Sequence, residues 1–190
     1  MNQCDRFART SIAAFCAVVG LTLGAATAAE ASPETDFRAI CLANLGKIDA
    51  QVSAARGAGY QEDVSKRSER GFTLIKNDGG DELSINFSTT PVKATRVAPA
   101  ETVYQCNAGG PDDGHRTRDI QNWVGFEGSQ MGDGLVGYSF TSKAGKQSYL
   151  DPKDQAGTLS ALAGQGYYLM LVYTKPRKIS YILVHFEAAK

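Results

Sequence analysis

The chain has 190 residues, 43% of them hydrophobic, with 20 basic and 20 acidic side chains and two histidines. This is the composition of a folded domain, and its balanced charge removes the electrostatic case for nucleic acid or an anionic membrane as partner. Two histidines leave no histidine-rich metal site, and no cofactor is implied.

The N-terminus reads as a secretory signal. Arg6 and Arg9 give a short positive region, and an apolar run over 12–23 follows, broken only by Gly20 and Thr22. That run is shorter than the ~20 residues of a permanent membrane span. Ala26 and Ala28 supply the small side chains that signal peptidase accepts, so residues 1–28 are expected to be removed; cuts after Ala29 or Ala31 are alternatives. Cys16 lies inside the apolar run and not behind a Leu-small-small triplet, which argues against lipid attachment. Arg6 and Arg9 are not adjacent, which argues against twin-arginine export. The expectation is a periplasmic or secreted protein with no stable membrane anchor after cleavage.

Residues 29–190 then form a single domain with a net charge of −1, since Arg6, Arg9 and Asp5 leave with the signal. Cys4 and Cys16 leave too. Cys41 and Cys106 remain, an even pair in an oxidising compartment, and a structural disulfide is expected. Its loop would contribute about 4 kcal/mol on the chain-entropy model.

In chain order, Ser32 and Pro33 suit a helix start. Phe37, Ile40, Cys41, Leu45, Ile48, Val52 and Ala55 recur at helical spacing, with Gly57 and Gly59 as the stop. Residues 60–70 are polar and read as a loop or one helical turn. A hairpin is predicted over 72–76 and 83–87 around Asn77-Asp78-Gly79-Gly80-Asp81. Short strands at 92–97 and 102–106, punctuated by Pro91 and Pro99, suggest an edge position. Residues 107–114 read as a loop, 116–124 as a short helix facing inward with Ile120, Trp123 and Val124, and 128–134 as flexible. A strand follows at 135–140, a strand or loop at 147–150, and a weak helical turn within 154–166. The strongest β signal is last, 167–174 and 179–186, apolar at nearly every position as for central strands covered on both faces.

The fold expected is α+β: a mostly antiparallel sheet, an N-terminal helix and a second shorter helix on one face, and the C-terminal hairpin central. The repeated order of helix then strands suggests two similar halves by topology, without a residue-level repeat. The signal, the cysteine-bearing helix ending at Gly57-Ala58-Gly59-Tyr60, the cysteine after Tyr104-Gln105 and the final hairpin together resemble small secreted bacterial α+β proteins with one disulfide. The resemblance is one of layout and implies no activity.

Nucleophile-elbow, phosphate-loop and HExxH signatures are absent. The candidate catalytic groups are Asp113 and His115, a carboxylate two residues from an imidazole, with Glu127 as a further acid; Glu127 and Asp133 also flank a glycine-bearing stretch. Turn residues Gly109, Gly110, Pro111 and Gly114 explain the first cluster equally as a polar loop. His185 shares a strand face with Tyr181 and Leu183 and reads as a packed histidine. Tyr167, Tyr168, Tyr173 and Tyr181 read as core or as a stacking surface for a sugar or a partner. The expectation is a non-catalytic binding or interaction module (inhibitor, immunity-type or accessory) for an envelope protein or a cell-wall component. The alternative is a small envelope hydrolase.

Overall fold

A computed structural model describes residues 32–95, 99–112, 114 and 117–189. The signal expected over 1–28 lies outside them.

Ser32 caps the first helix by accepting a hydrogen bond from the Thr35 amide (3.2 Å), and Pro33 opens it. The helix expected through Ala55 is two pieces. α1 (Pro33–Asp36) runs into a π-helical stretch (Phe37–Leu42), the chain turns, and α2 (Ile48–Gly57) follows. Gly46, at φ +66°, makes the turn, and Asn44 Nδ2 donates to the Ile40 carbonyl (3.0 Å), satisfying the end of the first piece.

Residues 60–70 are mostly strand. β1 (Gln61–Ser68) is an edge strand with Val64 77% exposed, bearing ion pairs Arg67–Glu62 (2.9 Å) and Lys66–Asp63 (3.2 Å). Such charges guard a free edge, and they erase the apolar alternation that marks a strand. β2 (Gly71–Asp78) and β3 (Asp81–Val92) meet through Gly79 and Gly80, both at positive φ, as a two-residue primed turn requires. Pro91 lies inside β3 beyond the end of β2, where no strand among the described residues pairs with that side of β3.

β4 (Glu101–Pro111) corrects two expectations, since it is neither an edge strand nor followed by a loop at 107. It continues through Gly109, Gly110 and Pro111 between β3 and β9 (Lys178–Ala188). A Cβ on Gly110 would stand 2.7 Å from Leu83 Cδ2 and 2.8 Å from Pro33 Cγ, so glycine here lets α1 approach the sheet. α3 (Thr117–Val124) ends at Gly125 (φ +82°). The stretch read as flexible contains β5 (Ser129–Gly132), followed by β6 (Leu135–Lys143) and β7 (Lys146–Tyr149). The weak turn is a ten-residue helix, α4 (Gln155–Gly164), capped by Asp154 accepting from the Gly157 amide (3.0 Å). β8 (Tyr167–Lys175) precedes β9.

The described strands form one antiparallel sheet in the order β1-β2-β3-β4-β9-β8-β6-β5, with β7 also on β6. The path is two four-strand runs that meet where their last strands, β4 and β9, pair over the whole length of both. Each run follows a helix, α2 or α3. The second carries an insertion, β7 and α4, where the first has only Gly79-Gly80.

A continuous core joins one sheet face to the helices. Leu74, Ile85, Phe87, Met170 and Tyr181 meet Phe37, Ile40, Ala55 and Ile120 in one buried cluster. The Cys41–Cys106 disulfide lies in it and ties the π-helical stretch to β4 (Cα–Cα 5.9 Å). Tyr60, just after α2, is buried and donates its hydroxyl to Asp36 Oδ2 (2.6 Å), tying α2 back to α1. Burial above all, then the hydrogen bond to Asp36 and the charges of Asp36 and Asp78, holds its phenol well above the ordinary value. Among the described residues no helix is long and apolar enough to cross a membrane.

Candidate binding surface

The structure places the residues singled out from sequence in very different settings. Asp113 and His115 lie outside the described residues. Glu127, between α3 and β5, and Asp133, in the β5–β6 turn, are both exposed and stand at opposite ends of β5. Tyr168 and Tyr181 belong to the core, whereas Tyr167 and Tyr173 lie on the opposite sheet face, half-buried. Among the described residues no three His, Cys, Asp or Glu side chains converge as a metal site.

His185 is 6% exposed, on the helix-covered face of β9. Register sets it between Tyr104 of β4 and Tyr168 of β8, and both rings stack on it, with centroids 5.9 and 4.5 Å away. Phe140 stacks on Tyr168 (5.3 Å) and Trp123 meets Phe140 edge-on (5.8 Å), so five rings run across four strands to α3. Neither His185 ring nitrogen has a hydrogen-bond partner among the described residues. Burial holds its imidazole below the ordinary range, against the opposing pull of the nearby Gln165 carbonyl and the Glu187 charge.

Two clefts flank the helices. One of ≈ 380 Å³ lies between the first helix and α3, lined by Thr35, Arg38, Ala39, Ala43 and Trp123. Another of ≈ 270 Å³ lies where Ile48 of α2 faces residues 67–72, Phe87 and Thr89.

The broadest candidate surface is the sheet face away from the core cluster. Strand register arranges it in rows. Ser84, Gly109, Ser180 and Tyr173 form one; Asn86, Asn107, Ile182 and Leu171 the next; Ser88, Gln105, Val184 and Leu169 a third; Thr90, Val103, Phe186 and Tyr167 the last. Every one of these side chains is half-buried. The first three rows pass from hydroxyl and amide groups on β3–β4 to apolar groups on β8. Asn86 Nδ2 donates to Thr73 Oγ1 (2.9 Å) and Ser84 Oγ to the Gly109 carbonyl (3.4 Å), while Asn107 Oδ1 is shielded and has no hydrogen-bond partner among the described residues. In the last row Tyr167 and Phe186 stack nearly parallel at 4.5 Å. α4 packs against β8 and β9, and its Leu162 is buried outside the main cluster.

Sequence reasoning missed this surface. Its polar members come from stretches read as a hairpin, as strands and as a loop, and only strand pairing sets Asn86 beside Asn107. The available signal was the alternation of Ser84, Asn86 and Ser88 with Leu83, Ile85 and Phe87, which marks one wet face. No protein-family model, curated protein or solved structure matches the chain.

Proposed function

We propose that this is an exported, non-catalytic binding module of the cell envelope, whose sheet face away from the core takes a cell-wall glycan on its uncharged central rows. In this reading residues 1–28 are a cleaved signal, the domain works in the periplasm or is released, the N-terminal helix and α3 cover one face, and the C-terminal hairpin forms the middle of the sheet. The observation that carries it is the far face. Its central rows contain hydroxyl, amide and apolar groups and no formal charge. Hydroxyls and amides meet the many hydroxyls of a neutral sugar, while apolar and aromatic groups cover the sugar's C–H faces. The disulfide fits an oxidising compartment.

The test is an amide-resolved NMR titration of residues 29–190 with soluble peptidoglycan glycan fragments. Shifts centred on Asn86, Gln105 and Asn107, weakened about tenfold in affinity by Asn107→Ala, are expected; a loss of that size corresponds to about 1.4 kcal/mol. Shifts elsewhere, or none at millimolar fragment, overturn the reading.

A further inference from the structure

The turn after the first helix closes over His185. A Cβ on Gly46 would lie 3.1 Å from His185 Nδ1, from His185 Cε1 and from the Tyr168 hydroxyl oxygen, so the bare Gly46 backbone covers that ring edge. The opposite edge meets Gly166, where a Cβ would be 2.8 Å from Nε2. Tyr104 and Tyr168 cover the two ring faces. Beside the ring a cavity of ≈ 10 Å³, lined among others by Gly46, Gln51, Tyr104 and His185, has room for about one water. The imidazole is thus closed in on all sides, and neither nitrogen is paired among the described residues.

On the N-terminal side of the turn the chain is fixed covalently, and the far end of α2 is held by buried Ala55 and the Tyr60–Asp36 hydrogen bond. Cys41 is bonded to Cys106, and Gln51 Nε2 donates to the Cys41 carbonyl (3.1 Å). The covalent anchor stops two residues before the 43–47 turn. Beyond the turn, α2 begins at Ile48, which also lines the ≈ 270 Å³ cleft against residues 67–72. Movement of the turn and α2 away from the sheet would therefore hinge at the disulfide and widen that cleft.

We propose that His185 and the 43–47 turn form an acid-sensitive latch: protonation of the enclosed imidazole drives the turn and α2 off the sheet, with the Cys41–Cys106 disulfide as the hinge. The groups that face the ring are Tyr104 from β4, Tyr168 from β8, Gln51 from α2, the Gln165 carbonyl before β8 and Glu187 on β9 itself; Lys47 ends the turn and is exposed. Burial opposes the cation and dominates, while the Gln165 carbonyl, the Glu187 charge and the tyrosine faces favour it. The linkage sign follows. A histidine whose folded pKa lies below its unfolded value gives stability that is complete above the unfolded value and lost as pH falls toward the folded one. Each unit of lowering biases the protonated protein tenfold toward the open form. An exported chain would meet such pH changes directly.

The test uses oxidised residues 29–190, which contain only His115 and His185. Imidazole NMR, assigned with His115→Gln, gives the titration of His185, and amide hydrogen exchange over 43–57 is followed across the same pH range after correction for intrinsic rates. Titration of His185 below 6.5, with exchange in 43–57 rising about tenfold as it titrates, is expected. His185→Phe keeps a ring and removes the proton, and should abolish the acid-dependent part. His185→Gln serves the same purpose if the phenylalanine variant does not fold. Titration at or above 6.5, exchange independent of the His185 titration, or an unchanged acid response in either folded variant overturns the latch.

Discussion

Gly110 shows how one missing atom governs packing at the residue scale. Leu83 and Pro33 both come within 2.8 Å of where its Cβ would stand, so alanine there must push α1 away from the sheet or displace Leu83. Gly110→Ala is expected to cost about 1–3 kcal/mol, the usual range for overpacking a closed core, measured by urea unfolding with the m-value unchanged. The neighbouring Gly109 makes only ordinary contacts at 3.4 Å, so Gly109→Ala should cost less in the same measurement. In sequence, the two glycines look alike and both read as loop. Composition cannot distinguish a glycine that turns the chain from one that makes room for another element.

At the element scale, the first helix, its turn and α2 are held mainly by long-range ties. α1 has four residues, too few to persist alone, yet Phe37, Ile40 and Cys41 at its end are buried. The disulfide to β4 and the Tyr60–Asp36 hydrogen bond close this layer on both sides. Replacing both Cys41 and Cys106 by alanine should cost about 2–5 kcal/mol, read from the shift in the denaturation midpoint against the oxidised protein. The pairing of these cysteines was legible in sequence because only two of the four lie beyond the segment read as a signal. The break at 43–47 was not, because Leu45, Ile48 and Val52 keep helical spacing across it and only Asn44 and Gly46 mark the turn. β1 was hidden by the charges that suit an edge. α4 was underestimated because its one buried apolar residue, Leu162, leaves no stripe.

At the scale of the whole molecule, two helix-and-strand halves share a single core. Tyr138 and Met170 from the second half belong to the same buried cluster as Leu74 and Phe87 from the first. Neither half closes that cluster alone, so the domain should unfold in one transition, with tyrosine fluorescence, near-ultraviolet and far-ultraviolet circular dichroism coinciding in denaturant. Separated midpoints would show two independent units. The far face, by contrast, is built from rows crossing both halves, and it exists only once β4 and β9 pair.

The sequence by itself determined the α+β class, the mostly antiparallel sheet, the cysteine pair, the 116–124 helix within a residue and the apolar final strands. These depend on local periodicity, on turn chemistry and on counting, all of which act over a few residues or on the chain as a whole. The tertiary structure alone decided the central place of β4, the strand identity of 61–68 and 107–111, the enclosure of His185 and the polar rows of the far face. Each of these depends on which strand lies beside which and how closely a helix approaches. Such contacts join residues far apart in the chain, and neither composition nor spacing encodes them.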